Sequence, residues 1–268
     1  VDVVSSALDF ILPFEKYKIT AGAKVSFTNT RNGINYDTSD PTLVQDDYFR
    51  YKEQIYALYA DYSREYSERF SMQLGLRMEH TRTTGISEAK DTEDKHDYTR
   101  LFPTVYLLYS PTDGHALNFS FSNRISRPSQ NMVNPFPFYQ NKYTYACGRE
   151  DLKPSYTYNA ELGYTLKNNF NVSAYYSYSD DVFFQVVDLD AETNVTSFLW
   201  ENFMKTHAFG LNNSYTFRTK WLQAYAQHGV SYRRTTSSAA TTSPEEKGWA
   251  YNASLRNTFF FNEKKTLL

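Results

Sequence analysis

The chain has 268 residues, 41% hydrophobic and 18% aromatic, with Tyr 24 and Phe 20 against only 10 Gly and 9 Pro. This composition excludes disorder and fibrous repeats and favours strands. A net charge of -2, with no basic run interleaved among stacking aromatics, argues against nucleic acid as a partner, and the single Cys147 excludes an intrachain disulfide framework.

In chain order, 1–11 reads as the later part of a strand that enters a tight turn at 13–16. Ile19, Ala21, Ala23, Val25 and Phe27 then oppose Thr20, Gly22, Lys24 and Ser26, an alternation with the period of a strand. A wide excursion over 29–50 leads to strand 51–63 and a second tight junction at 64–68. The cleanest alternation lies in 70–80, where Phe70, Met72, Leu74, Leu76 and Met78 share one face and Ser71, Gln73, Gly75, Arg77 and Glu79 the other. The excursion 82–97 carries the acidic cluster Glu88, Asp91, Glu93, Asp94 and Asp97. Strand 98–110 and the turn 111–115 precede Leu117, Phe119 and Phe121, which lie opposite Asn118, Ser120, Ser122 and Arg124.

The longest excursion, 126–153, is followed by a strand in which Tyr158, Ala160, Leu162, Tyr164 and Leu166 alternate with polar residues and Gly163. A turn at 167–169, strand 170–178, excursion 180–196 and strand 206–217 come next. The pattern closes with a turn at 218–220, strand 221–233, excursion 235–247, strand 249–261 and a turn at 262–265, after which 266–268 begins a strand that does not continue. The spacing predicts ten complete strands and pieces of two more, with both ends cut, so 1–268 is expected to be a single barrel segment of a longer protein. Residues 1–11 lack the basic region and cleavage site of a secretory signal.

Tight turns thus alternate with long connections, and neighbouring strands pair antiparallel in sequence order, as in an up-and-down transmembrane β-barrel. Mean hydropathy is -0.62 and no run approaches the ~18 apolar residues of a spanning helix. That measure is silent for barrels, whose strands dilute each lipid-facing apolar residue with a lumen-facing polar one. Strands of about ten residues match the ~9–11 needed to cross a bilayer at a tilt. Lys24, Arg77, Glu79, Arg124, Glu161 and Arg256 all fall on the polar parity, and aromatics gather near strand ends, where membrane girdles form. A soluble all-β protein that binds a ligand or glycan, as a propeller or sandwich, is the alternative; a propeller blade, however, fits four short strands into a repeat of this length.

His80, His96, His115, His207 and His228 are scattered without metal-ligand spacing, and no nucleophile elbow, phosphate loop or dinucleotide fingerprint occurs. The acidic loops lack the glycine and ligand spacing of a calcium site. No enzymatic activity, metal or cofactor is therefore expected. The loop 126–153 is different: Pro128, Pro135 and Pro137 restrict its backbone, so it can hold one shape at reduced ordering cost. Its amide and aromatic side chains Asn134, Phe136, Tyr139, Tyr143 and Tyr145 form the candidate ligand-contacting set.

The run Phe121-Ser122-Asn123-Arg124-Ile125-Ser126-Arg127-Pro128, with Asn134-Pro135-Phe136, Tyr139, Gly148 and Leu152-Lys153-Pro154, resembles the signature of the outer-membrane β-barrel family of TonB-dependent receptors of Bacteroidetes. Tyr51-Lys52-Glu53-Gln54-Ile55-Tyr56-Ala57 and Leu74-Gly75-Leu76-Arg77-Met78-Glu79 resemble strands of the same family, and the likeness extends over 17–261. The chain departs from the pattern at Gly148-Arg149-Glu150, where the family has Gly-Asn-Pro, and at Ser155, where Glu is common. The resemblance implies a barrel of about 22 strands in the outer membrane. It also implies a plug domain that is not in this chain, an energy-transducing TonB-type partner acting through that plug, and a nutrient as cargo. Outer-membrane lipid and a surface lipoprotein cap complete the implied partners. Short turns would then face the periplasm and long connections the exterior.

Overall fold

The computed structural model describes residues 1–35, 46–88, 90–239, 242–262 and 265–267. In chain order the strands begin with β1 (Asp2–Pro13), β2 (Tyr17–Asn35), β3 (Asp46–Ser67), β4 (Phe70–Ser87), β5 (Thr92–Tyr109) and β6 (His115–Ser126). One long loop follows, containing a single helical turn α1 (Gln130–Val133) and two short strands, β7 (Phe138–Asn141) and β8 (Thr144–Cys147). The chain continues through β9 (Ser155–Leu166), β10 (Phe170–Asp190), β11 (Val195–Arg218), β12 (Leu222–Ser237), β13 (Glu245–Asn262) and β14 (Lys265–Leu267). All belong to one sheet, whose main path runs in sequence order from β1 to β6, then β9 to β14. Every pairing on that path is antiparallel.

The tight turns fall where the pattern placed them, between β1 and β2, β3 and β4, β5 and β6, β9 and β10, and β11 and β12. At the other end the strands run further than the alternation indicated. β4 and β5 stay paired to Ser87↔Thr92, and β10 and β11 to Asp190↔Val195, so two of the wide excursions are mostly ladder. The reason is physical: once a strand leaves the apolar phase both faces can be polar, so the period-two signal disappears although the backbone hydrogen bonds continue. Residues 36–45 of the excursion 29–50, residues 240–241 of the excursion 235–247, and residues 263–264 of the last turn lie outside the described residues.

Register lines up one apolar side chain per strand across almost the whole sheet. Leu12, Ile19, Tyr62, Leu74, Val105, Phe121, Ala160, Tyr176, Phe209, Tyr232 and Trp249 are successive register partners. Leu12 adjoins the turn after β1, whereas Trp249 lies near the far end of β13, so the row climbs obliquely, as the stagger of tilted barrel strands requires. The face this row marks is the exposed one. Leu58, Leu76, Leu162, Leu211 and Leu255 are between 42% and 66% exposed, while on the opposite face Glu79 is 8% and Thr81 0% exposed. A soluble sheet buries its apolar parity against protein; this one turns it outward, as a barrel in lipid does. The soluble propeller or sandwich is overturned by the same observation, together with the single continuous sheet.

The inner face carries the complementary row. Asn118, Gly163, Ser173, Asn212, Gly229 and Asn252 are register partners across six strands. At Gly229 an added Cβ would meet the amide oxygens of both Asn212 and Asn252, so the glycine leaves room for the flanking side chains to cross the strand. The strand asparagines Asn118, Asn212 and Asn252, which form sequons by their sequence, belong to this polar lining.

Candidate functional site

The loop between β6 and β9 folds against the inner side of the sheet and is held by several different devices. Its first arm makes the α1 turn, with the Asn134 N–H donating to the Gln130 carbonyl at 2.9 Å. The Asn134 side-chain oxygen accepts the Phe136 N–H at 3.0 Å, a local turn of the kind asparagine favours. The returning arm clasps this turn: the Gly148 N–H donates to the Asn134 carbonyl and the Arg149 N–H to the Met132 carbonyl, both at 2.8 Å. An added Cβ at Gly148 would overlap the Asn134 carbonyl oxygen and sit 2.7 Å from the Met132 oxygen, and both neighbours are backbone that cannot rotate away. Gly148→Ala is therefore expected to open the clasp at a cost of about 1–3 kcal/mol. Faster chymotryptic cleavage within 136–145 of the otherwise folded protein would register it; an unchanged rate would refute the clasp.

Between the arms, β7 and β8 form a hairpin, and β8 adds in parallel to β11 from Thr144↔Thr196 to Cys147↔Leu199. This addition occurs where β11 has outrun β12, whose pairing stops at Met204↔Ser237, so the hairpin covers ladder groups left open on that edge. Cys147 points its thiol at the Pro135 carbonyl, 2.9 Å away, and burial pushes that thiol up from its ordinary range.

Val133 and Leu152 from the two arms pack with Phe49 of β3 in a buried cluster, and Tyr51, Met132, Phe183 and Trp200 close around it. Polar anchors reach both flanks of the sheet. On the β5 side the Thr92 hydroxyl donates to Glu150 at 2.7 Å, and His96 Nε2 lies 3.0 Å from the Glu150 carbonyl. On the β11 side Asn202 brackets Lys153, accepting from its N–H at 2.8 Å and donating to its carbonyl at 2.9 Å, while Arg149 meets Glu201 at 3.0 Å.

The strongest anchor is Arg127, where the loop leaves β6. Its guanidinium donates to Glu79 Oε2 at 2.5 Å and to Thr81 Oγ1 at 3.1 Å, and lies 3.8 Å from Glu53. All three acidic and basic side chains are largely shielded, at 20% exposed for Arg127, 16% for Glu53 and 10% for Glu79. For Arg127 burial works against the charge, but the hydrogen bonds and charges of Glu79 and Tyr98 together outweigh it and the guanidinium holds its proton more tightly.

Two cavities flank the loop. One of ≈ 360 Å³ lies between it and β3–β5 and is charged, with Asp94, His96, Arg127, Glu150 and Lys153 on its wall. The other, ≈ 700 Å³, is lined among the described residues by amides and rings, including Asn32, Asn131, Gln185, Phe138 and Trp200. Of the sequence-derived set, Asn134 and Phe136 border this second cavity but are themselves buried, and the Asn134 oxygen is engaged by the Phe136 N–H. Tyr139 and Tyr145 face each other across the β7–β8 hairpin with ring centroids 5.6 Å apart, and Tyr143 is 50% exposed at its tip under the Lys142 ammonium. All five therefore sit on one ordered element, with Tyr143 exposed at its tip and Tyr139 and Tyr145 half-buried.

Sequence reasoning did not select Glu53, Asn202, Trp200 or Gln185, which come from strands far from the loop. Of the acidic cluster at 88–97, Glu93 pairs with Lys95 at 2.9 Å, Asp94 with His96 at 2.6 Å and Asp97 with Arg82 at 2.9 Å, so these carboxylates serve the β4–β5 hairpin.

A family model described as "Outer membrane protein beta-barrel family" matches residues 1–267. No curated protein matches the sequence. Among solved structures, copper transporter OprC superposes with a TM-score of 0.65 at 12% identity, over 97% of this chain and 49% of that one. The FrpB iron transporter from Neisseria meningitidis gives 0.61 at 15%, over 97% and 41%. A ferric enterobactin receptor, PfeA from Pseudomonas aeruginosa, gives 0.59 at 13%, over 97% and 47%. This chain thus spans less than half the length of each, and at such identities the likeness is one of fold.

Proposed function

Because the chain belongs to the outer membrane protein beta-barrel family, we propose that it supplies part of the wall and ligand-gathering loops of a TonB-dependent receptor that imports a nutrient. The protein resides in the cell outer membrane, as its family and outward-facing apolar band require. The observation that carries the transport reading is the contrast between the two faces. One is a continuous apolar band, and the other is a polar lining crossed by a loop held in place on both flanks. Such a wall with an internal, ordered loop suits passage and capture rather than catalysis.

In this reading residues 1–268 are one segment of one barrel, supported by the unbroken strand path. The tight turns face the periplasm and the loop end faces the exterior, where Tyr139, Tyr143 and Tyr145 meet the cargo and Asn134 and Phe136 shape the surface beneath. A plug domain elsewhere in the receptor couples it to a TonB-type energy-transducing partner, and a surface lipoprotein caps the loop end. The structures it resembles are named as a copper transporter, an iron transporter and a ferric enterobactin receptor, and metal complexes are therefore the first cargo to try.

The test uses the full-length receptor. Deleting its gene is expected to abolish growth on at least one limiting nutrient, and the same loss should follow removal of the energy transducer; growth unaffected on every nutrient would sink the reading. With the cargo found, Tyr139→Ala combined with Tyr145→Ala is expected to raise the half-saturating concentration about tenfold without reducing receptor in the membrane. An unchanged value would remove these tyrosines from the contact set.

A further inference from the structure

Beyond the edge-on aromatic pair Phe27–Tyr56, whose ring centroids are 5.9 Å apart, the outward face of β2 and β3 turns basic. Arg31 and Arg50 are direct register partners, and Lys52 lies one outward position closer to the aromatics, opposite Asn29. All three are exposed. Like charges set directly opposite on an antiparallel pair destabilise it unless something neutralises them. Four other outward cations have that neutralisation: Arg82 meets Asp97 at 2.9 Å, Lys95 meets Glu93 at 2.9 Å, Lys205 meets Asp180 at 3.1 Å and Arg234 meets Glu245 at 3.1 Å, while Arg64, at the opposite end of β3, lies over the Tyr66 ring. Among the described residues Arg31, Arg50 and Lys52 have no ion pair. Asp2, beside Asn29, and Glu88, beside Tyr48, do not pair with them, and Glu53, next to Lys52, belongs to the opposite face.

Height fixes what anion this cluster would meet. Tyr56 belongs to the apolar face and marks the membrane interface by the usual preference of tyrosine. Arg50 lies six residues further along β3, no more than about 20 Å of strand and less in height because barrel strands tilt. Long side chains can reach back from there into the headgroup layer. Arginine forks and a lysine ammonium are the groups that clasp phosphate.

We propose that Arg31, Arg50 and Lys52 form a lipid site on the outside of the barrel that holds a phosphate of a glycolipid headgroup in the outer leaflet. The site is independent of the cargo path, since it lies on the opposite face of the sheet from the 126–154 loop.

The full-length protein, purified from outer membranes and exchanged into detergent, would be titrated by native mass spectrometry with bisphosphorylated lipid A and with the dephosphorylated lipid. The wild type is expected to prefer the phosphorylated form. The triple variant Arg31→Ala, Arg50→Ala, Lys52→Ala should lose on the order of a hundredfold in that affinity, at roughly fivefold for Lys52→Ala alone. Arg82→Ala, whose cation is already paired, should leave it unchanged. Heat-modifiable gel mobility would verify folding, and the single Lys52 variant carries the test if the triple variant fails to fold. Equal affinity for both lipids, full affinity in Lys52→Ala, or complete displacement of the lipid by millimolar inorganic phosphate would overturn the proposal.

Discussion

Replacing Arg127 by alanine is expected to release the 126–154 loop from the inner wall. The substitution leaves Glu53 shielded from solvent with no guanidinium beside it among the described residues, and Glu79 with Arg77 alone, at 2.6 Å. Removing one partner of a buried ion pair typically costs ~3–5 kcal/mol, because the remaining charge is stranded. Arg127 stands at the root of the loop, so the penalty falls on docking of the first arm and on the Phe49 cluster that Val133 and Leu152 complete. Chymotryptic cleavage at 139–145 in the folded full-length protein should rise at least a hundredfold.

The two carboxylates are predicted to respond differently. Glu79 takes the 2.5 Å bond, so Glu79→Gln should loosen the loop substantially. Glu53 sits further off, at 3.8 Å. Glu53→Gln removes only this more distant contact and should change cleavage far less than Glu79→Gln does. Equal cleavage of wild type and Arg127→Ala would show that the remaining anchors at Glu150, Arg149 and Lys153 hold the loop without Arg127.

Leu76→Arg is expected to impair assembly of the barrel in lipid. Leu76 is 50% exposed on the apolar face, partnered by Ala60 and Pro103 on the neighbouring strands. An arginine on the lipid face near the bilayer midplane costs ~2–4 kcal/mol, whereas the inner face tolerates charge. Gln73→Arg, on the same strand but the opposite parity, is the matched control and should fold as the wild type does. Urea titration of the full-length protein in liposomes, read by heat-modifiable mobility, would measure both. A soluble-core role for this face would instead make Leu76→Ala as damaging as Leu76→Arg.

Much of the architecture was legible because period-two alternation is written directly into strands such as 70–80, and the tight turns are punctuated by breaks in it. The site was legible only in part. The prolines marked the loop as ordered, and the structure gives Gly148, which stood only in the family signature, its reason in the close approach of two backbone arms. The loop's fastenings were not readable, because Glu53, Glu79, Glu201 and Asn202 lie far from it in sequence and nothing in their local pattern separates them from other polar strand residues. Trp200 and Gln185 were hidden for the same reason. They reach the loop only because β10 and β11 run beyond their neighbours, past a bulge at Asp181, where φ is 52°.

By itself the sequence determined that this chain forms long antiparallel strands in a meander, which residues share a face, and where the tight turns fall. Those are local properties, fixed by the alternation of side chains along an extended backbone and by turn chemistry. Which face looks outward, how far each ladder continues beyond the apolar phase, and what pins the long loop were decided only by the tertiary structure. Each depends on registers and contacts between strands that lie tens of residues apart. An apolar parity has the same sequence whether it meets lipid or a protein core. The exposure of Leu58, Leu76 and Leu162 beside the burial of Thr81 and Glu79 is what separates the two.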